Sequence, residues 1–189
     1  MAAPKPFNVY VALLRGINVG GNNIVAMKSL KEHFERLGLH DVKTYINSGN
    51  VVFRSAETDP RALEARIDRM LADAYGLKGG TVVRGTREIA AVVRALDKEK
   101  ALPADWKCNV MFLRHPIDPK RALKDIALMP EIERVVCCPG TWLWSASARD
   151  MNRSAMMKLG RTPLYKEMTV RNVNTTRAVL ALMQAAEKA

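Results

Sequence analysis

The chain contains two similar halves, and this internal repeat constrains its fold more than any other feature. "VYVALLR" at 9–15 is echoed by "CNVMFLR" at 108–114, and "TYINSGNVVFRS" at 44–55 by "VVCCPGTWLWSA" at 135–146. In the same order, "TVVRG" in the first half is echoed by "MTVRN" in the second. Each unit is about 90 residues, too long for a solenoid repeat, so the pattern predicts two copies of one folded unit.

Periodicity in the first half predicts strands alternating with helices. Val- and Leu-rich segments bounded by Pro or Gly are typical of strands, and apolar residues at steps of three and four are typical of a helix face. Ser48 and Gly49 separate two strand-like segments, as in a hairpin. The predicted elements are strands at 8–15, 42–47, 50–55 and 81–86, and helices at 27–37, 60–75 and 87–97.

The second half repeats this order and ends in a predicted helix at 175–186. We therefore predict an α+β fold, a duplication of a ferredoxin-like β-α-β-β-α-β unit. Each half forms an antiparallel sheet with its helices on one face. The predicted subdomains span 1–97 and 98–189, joined by the charged, proline-broken linker "DKEKALPADW".

Composition excludes several classes of protein. Hydrophobic residues make up 48% and charged residues 26% of the 189 positions, as in ordinary soluble globular proteins rather than disordered ones. The N-terminus has no apolar run of signal-peptide length, and no 18 consecutive positions are apolar. We predict a cytoplasmic protein with no membrane contact; its oligomeric state is not predicted.

The potential metal ligands are scattered. The chain has three cysteines and three histidines: Cys108, Cys137, Cys138, His33, His40 and His115. None of them forms a CxxC, HExxH or mixed Cys/His spacing. The pattern favours buried thiols and predicts neither a metal site nor a cofactor.

The charge balance favours polyanionic partners. Thirty Lys and Arg against nineteen Asp and Glu give a net charge of +11. The stretch 149–177 alone holds seven basic and two acidic residues. Nucleic acid or a phosphorylated small molecule is therefore the predicted partner.

A polar sheet edge is predicted where the first strand ends. In a β-α-β-β-α-β unit this end lies beside the hairpin tip, which brings "RGINVGGNN" and "NSGN" together. Backbone N–H groups, a helix N-terminus and an arginine form an anion site without further help. The candidate ligand-binding residues here are Arg15, Gly16, Asn18, Gly20, Gly21, Asn22, Ser48 and Asn50.

A second junction, "TVRNVNTT", has the same character. Its candidate ligand-binding residues are Arg171, Asn172, Asn174 and Thr175. An arginine beside a helix N-terminus is unfavourable unless an anion or carboxylate neutralises it. The two junctions therefore predict one composite anion site, or two equivalent ones.

A purely architectural interpretation stays open for both junctions. Neither G-x-G-x-x-G nor G-x-x-x-x-G-K-[ST] occurs, and Gly and Asn also serve where a turn needs positive φ. Helix capping alone explains the asparagines of the second junction. Ser154 and Lys158 lie one helical turn apart, but a solvated helix face is favoured over a nucleophile pair. No catalytic residue is predicted.

Three segments carry a resemblance to a known family. "ALLRGINVGGNN", "TYINSGNVVF" and "TVRNVNTT" resemble the LLRGINVGG, SGNVVF and RNWNT motifs of the family named domain of unknown function 1697. The resemblance extends over residues 8 to about 182 and implies two similar α/β subdomains. It implies no biochemical role. Val173 stands where that family usually has tryptophan.

Three classes of function follow from these patterns. The first is binding of a phosphate-bearing or other anionic ligand, a nucleotide or nucleic acid. The second is a small-molecule enzyme whose polar pocket, between the halves, holds Arg15, Ser48, Asn50 and Arg171. The third is a scaffold or self-associating protein, for which an exposed strand face bearing Trp142 and Trp144 is the expected sign.

Overall fold

The computed structural model describes residues 7–99 and 102–188. The described chain contains eight strands and six helices, with two 3₁₀ turns at Met151–Arg153 and Pro163–Glu167. The elements are β1 (Asn8–Leu13), α1 (Met27–Arg36), β2 (His40–Tyr45), β3 (Asn50–Ser55), α2 (Pro60–Tyr75), β4 (Val82–Gly85), α3 (Thr86–Lys98), β5 (Trp106–Leu113), α4 (Pro119–Leu123), β6 (Glu133–Cys138), β7 (Thr141–Ser147), α5 (Ala155–Leu159), β8 (Met168–Asn172) and α6 (Val173–Lys188).

The strands form two four-stranded sheets of identical topology. The order is β2-β3-β1-β4 in the first sheet and β6-β7-β5-β8 in the second. Every neighbouring pair is antiparallel. This is the ferredoxin-like order twice over, so the predicted duplication in an α+β fold is confirmed.

Helices cover both faces of the first sheet, whereas the sequence predicted helices on one face. Helices α1 and α2 pack on the face of β1 that carries Tyr10 and Ala12. Helices α3 and α6 pack on the opposite face, which carries Val9 and Val11, and also contact the second sheet. The physical reason is that β1 is apolar on both faces, and each apolar face needs cover.

The second half keeps the strands of the repeat but not its long outer helices. Helices α4 and α5 have five residues each, against ten in α1 and sixteen in α2. Gly160 and Pro163 interrupt the segment that follows α5, where 3₁₀ structure replaces a helix. Trp142 and Trp144 are fully buried under these short elements. The exposed tryptophan face expected of a scaffold is therefore absent.

One apolar layer joins the two halves. It contains β1 residues, the inner faces of α3 and α6, and β5 residues such as Val110 and Phe112. Separate subdomains at 1–97 and 98–189 stay a prediction, and linker residues 100 and 101 lie outside the described part. Across the described residues, no helix has the length and apolar character needed to cross a bilayer. The cytoplasmic location stays a prediction.

Candidate functional site

A cleft of about 510 Å³ lies where the end of β1 meets the hairpin tip, β8 and the start of α6. It brings together six of the predicted ligand-binding residues: Arg15, Gly16, Ser48, Arg171, Asn172 and Thr175. The remaining lining is mostly apolar: Leu14, Ile17, Val19, Ile46, Tyr165, Met168, Thr169 and Val170. The two sequence-distant arginines therefore share one cleft, as the composite-site hypothesis requires.

The cleft forms because the β1 end and the hairpin tip lie side by side, as the topology predicted. The backbone N–H of Leu14 donates to the carbonyl oxygen of Gly49 at 2.8 Å. The side-chain amide of Asn18 donates to the Asn47 carbonyl at 2.8 Å, and its oxygen accepts from the Val25 N–H at 2.8 Å. The Asn18 amide is thus engaged in holding the loop to the hairpin.

Several predicted residues do not line the cleft. They are Asn18, Gly20, Gly21, Asn22, Asn50 and Asn174. Gly20 and Gly21 have φ of +58° and +77° at an exposed turn, which the Asn22 N–H closes by donating to the Val19 carbonyl at 3.0 Å. Asn50 is fully buried. Asn174 is exposed on α6 and also lies outside the cleft. The proposed site is therefore limited to the six lining residues.

Arg171 lies buried at the base of the cleft, and all of its guanidinium nitrogens donate. Nε donates to Asn50 Oδ1 at 2.5 Å, and Nη1 to Thr169 Oγ1 at 2.7 Å and the Val170 carbonyl at 2.8 Å. Nη2 donates to the carbonyls of Leu14 at 2.7 Å and Ser48 at 3.1 Å. Its partners are all neutral.

Burial lowers the pKa of Arg171 to about 10. No carboxylate of the described residues lies within salt-bridge distance of this guanidinium. The side chain is still a cation at neutral pH. A buried positive charge therefore lies behind the cleft without an ionic partner.

Arg15 is half-buried on the cleft wall. Its guanidinium carbon lies 5.4 Å from the centre of the Tyr165 ring, a cation–π distance. Gly80 makes room for it, since a Cβ there would lie 3.1 Å from Arg15 Cδ. The Arg15 guanidinium makes neither a hydrogen bond nor an ion pair with any other described residue, so its donors are available.

Other donors face the same space. Ser48 Oγ accepts from the Asn50 amide at 3.0 Å, which leaves the hydroxyl hydrogen to donate. The Thr175 hydroxyl has no hydrogen-bond partner among residues 7–99 and 102–188. Neither do the backbone N–H groups of Gly16 and Ile17. The cleft thus combines a free guanidinium with hydroxyl and backbone donors.

A second junction between the halves holds the equivalent pair of arginines, and there the charges are neutralised. The repeat aligns Arg114 with Arg15 and Arg84 with Arg171. Arg84 lies 3.7 Å from a Glu64 oxygen and 3.5 Å from a Glu88 oxygen. Arg114 contacts Asp68, and its Nε lies 3.8 Å from Glu64. Glu167 is a fourth carboxylate, 3.9 Å from Arg114 Nη1. Four carboxylates therefore surround the equivalent pair, whereas no carboxylate lines the Arg15–Arg171 cleft.

The carboxylates act on the Arg84 guanidinium directly. Burial lowers the pKa of Arg84, and the charges of Glu88 and Glu64 oppose that shift. His115 Nδ1 lies 3.0 Å from the same Glu64 oxygen. Sequence reasoning missed this cluster. The available signal was the alignment of "TVVRG" with "MTVRN", which places Arg84 opposite Arg171.

Other candidate chemistry resolves into architecture. Ser154 is buried and donates to the Met151 carbonyl at 2.8 Å, whereas Lys158 is exposed. Glu133 is buried and accepts from the indole N–H of Trp144 and the N–H of Ala155, each at 2.9 Å. Among the described residues, no cluster of three or more His, Cys, Asp or Glu side chains could hold a metal ion.

Fold and cleft together define a duplicated ferredoxin-like α+β protein with a basic cleft at the junction of its halves. Residues 7–141 match the family described as "Protein of unknown function (DUF1697)", and the chain belongs to this family. It is similar to the solved structure of a conserved bacterial protein from Streptococcus pneumoniae, with 25% sequence identity and a TM-score of 0.76. That similarity covers 94% of this chain and 99% of the other. No curated protein matches the chain.

Proposed function

We propose that this protein binds a small anionic ligand, phosphate-bearing or carboxylate-bearing, in the cleft between Arg15 and Arg171. One observation carries the proposal. The equivalent pair, Arg114 and Arg84, is neutralised by four carboxylates of the chain itself, whereas the Arg15–Arg171 cleft is lined by none. The chain itself supplies the negative charge at the Arg84–Arg114 pair, and a ligand supplies it at the Arg15–Arg171 cleft.

Burial of the Arg171 charge carries an energetic cost. Removing a cation from water is unfavourable, and carbonyl dipoles offset that cost only in part. The lowered pKa of Arg171 expresses the remaining penalty. An anion in the cleft would reduce this penalty through its field, while Arg15 and the free hydroxyls donate to it directly.

The lining favours binding over acid–base catalysis. Its side chains are those of Arg, Ser, Thr, Asn, Tyr and apolar residues, with no Asp, Glu, His, Cys or Lys. A proton-transferring group with a pKa near neutrality is therefore missing from the wall. Arg15, Ser48 and Arg171 do share one cleft, as the enzyme hypothesis expected, but Asn50 lies behind it. A reacting group would have to come from the ligand.

Nucleic acid is a second candidate ligand because of a separate surface feature. Four exposed basic residues lie within residues 149–161 of the second half: Arg149, Arg153, Lys158 and Arg161. Such a run suits a phosphate backbone. Binding there predicts an affinity for oligonucleotides that falls steeply with salt and does not depend on Arg15.

The test is a thermal-shift screen of nucleotides, sugar phosphates, small carboxylates and oligonucleotides. Wild type, Arg15→Ala and the control Arg94→Ala are compared; Arg94 is exposed on α3, and its loss changes net charge equally. A ligand at one hundred times its Kd stabilises the folded state by about 2.7 kcal/mol. We expect at least one anion to stabilise wild type and Arg94→Ala but not Arg15→Ala. Equal stabilisation of all three proteins, or of none, contradicts the proposal.

A further inference from the structure

We infer that the ligand of the Arg15–Arg171 cleft is an organic phosphate monoester, with its phosphate at Arg15 and its apolar group on the cleft mouth. This inference rests on the proposed function and names the class of ligand. It is carried by three features of the cleft: its charge, its donors and its exposed apolar rim.

The charge of the cleft calls for a dianion. Two guanidinium groups and no carboxylate belong to its lining. At the equivalent site, more than one carboxylate charge surrounds Arg84 and Arg114. A phosphate monoester carries about 1.5 to 2 negative charges near pH 7 on one group, whereas a carboxylate or a sulfate monoester carries one.

The donors of the cleft come from separate parts of the chain. The Arg15 guanidinium and the Gly16 N–H belong to the loop after β1, the Ser48 hydroxyl to the hairpin, and the Thr175 hydroxyl to α6. Donors that converge from three elements suit the three terminal oxygens of a tetrahedral phosphate. A planar carboxylate presents only two oxygens, in one plane.

The mouth of the cleft is apolar and exposed. Val19 and Ile46 line it with exposed fractions of 62% and 50%. Ile24, on the same loop as Val19, is 79% exposed. Isolated exposed apolar residues are ordinary, but a cluster beside a polar cleft marks a binding surface. A ligand that covers this rim carries an apolar or aromatic group next to its phosphate.

The experiment is isothermal titration at pH 7.5 with four probes: phenyl phosphate, phenyl sulfate, benzoate and inorganic phosphate. We expect phenyl phosphate to bind roughly tenfold or more tightly than each of the other three, since it alone offers both the second charge and the apolar ring. Arg15→Ala should abolish the binding, and Arg94→Ala should preserve it.

A second variant isolates the apolar rim. Ile46→Ser should bring the affinity for phenyl phosphate down to that for inorganic phosphate, without changing the latter. Ile46 is exposed, so the substitution leaves the core intact, which far-ultraviolet circular dichroism verifies.

The outcomes separate the two levels of the argument. If phenyl sulfate and benzoate bind as tightly as phenyl phosphate in an Arg15-dependent manner, the dianion inference is overturned and the proposed function stands. If inorganic phosphate binds as tightly as phenyl phosphate, the apolar part of the inference is overturned. If no probe binds, or binding survives Arg15→Ala, both the inference and the proposed function fail.

Discussion

Arg84 and Arg171 hold equivalent positions in β4 and β8, and each donates to main-chain carbonyls of the other half. Nη2 of Arg171 donates to the carbonyls of Leu14 at 2.7 Å and Gly49 at 3.2 Å. Nη2 of Arg84 donates to the carbonyl of Leu113 and to that of Gly140, the latter at 3.0 Å. Each half thus supplies one arginine that donates to carbonyls of the other half, and the two sets of contacts have a pseudo-twofold relation. The two arginines differ in whether carboxylates accompany them.

Replacing the two arginines should destabilise the fold unequally. Arg171→Ala leaves buried carbonyls and Asn50 Oδ1 without a donor, so we expect it to lower the free energy of unfolding by about 2–4 kcal/mol. Arg84→Ala removes similar donors and also leaves the buried Glu64 carboxylate with only Arg114 as a nearby arginine, which should cost about 1 kcal/mol more. Urea denaturation of both variants and wild type measures the difference. A larger loss in Arg171→Ala would contradict the assigned role of Glu64.

Arg114 and Arg15 should differ in their contributions. Arg114 should contribute mainly to stability, and Arg15 mainly to anion binding. Arg114→Ala breaks the partly buried contacts with Asp68 and Glu64, and we expect a loss of about 2–3 kcal/mol. Arg15→Ala removes only the contact with the Tyr165 ring, at a cost of about 0–1 kcal/mol. Anion-induced stabilisation should nevertheless disappear in Arg15→Ala alone. Thermal unfolding with and without phenyl phosphate measures both effects. Equal destabilisation by the two substitutions would refute this division.

The glycines of the hairpin and of the loop after β1 should differ in their tolerance to alanine. A Cβ at Gly49 would lie 2.8 Å from both Leu14 Cβ and Ile17 Cδ1, and its φ is +74°. We expect Gly49→Ala to cost about 2–4 kcal/mol through overpacking and backbone strain. Gly20 has φ of +58° but open space around it, so Gly20→Ala should cost only about 1 kcal/mol. Chemical denaturation of the two variants compares these costs, and similar losses would be inconsistent with close packing at Gly49.

The sequence was sufficient for the strands and their topology. The repeat, with its apolar segments and turn residues, predicted the two ferredoxin-like sheets, and helix α2 begins and ends at the predicted residues, Pro60 and Tyr75. It failed for the outer helices of the second half. It predicted helices α3 and α6 close to their observed ranges but not their position between the sheets. Those depend on which apolar faces remain uncovered once the halves meet, and no local pattern states that.

For the site, the sequence predicted which junctions matter but not what each side chain does. The adjacency of the β1 end and the hairpin tip followed from topology, whereas the partners of Arg171 did not, because main-chain carbonyls leave no trace in a residue pattern. The same holds for Glu64, whose position on α2 resembles any charged helix residue until the fold buries it against Arg84. The ligand-binding roles of the six lining residues stay predictions.

Anion affinity should fall at alkaline pH because Arg171 titrates. Burial lowers its pKa from the ordinary arginine value to about 10, and a bound dianion favours the charged form and so raises that pKa. Binding is therefore coupled to proton uptake, which means that affinity is full below pH 9 and is lost as pH rises through 10. If the charge is required, the affinity for phenyl phosphate at pH 10.5 should be about a quarter of that at pH 8.5. Phenyl phosphate is fully dianionic across this range, so its own titration does not contribute.

Isothermal titration measures the dependence of affinity on pH, and circular dichroism verifies that the fold persists. The Arg171→Met variant should bind phenyl phosphate more weakly but with no such pH dependence. A flat profile for wild type from pH 8.5 to 10.5 would show that the Arg171 charge does not act on the ligand.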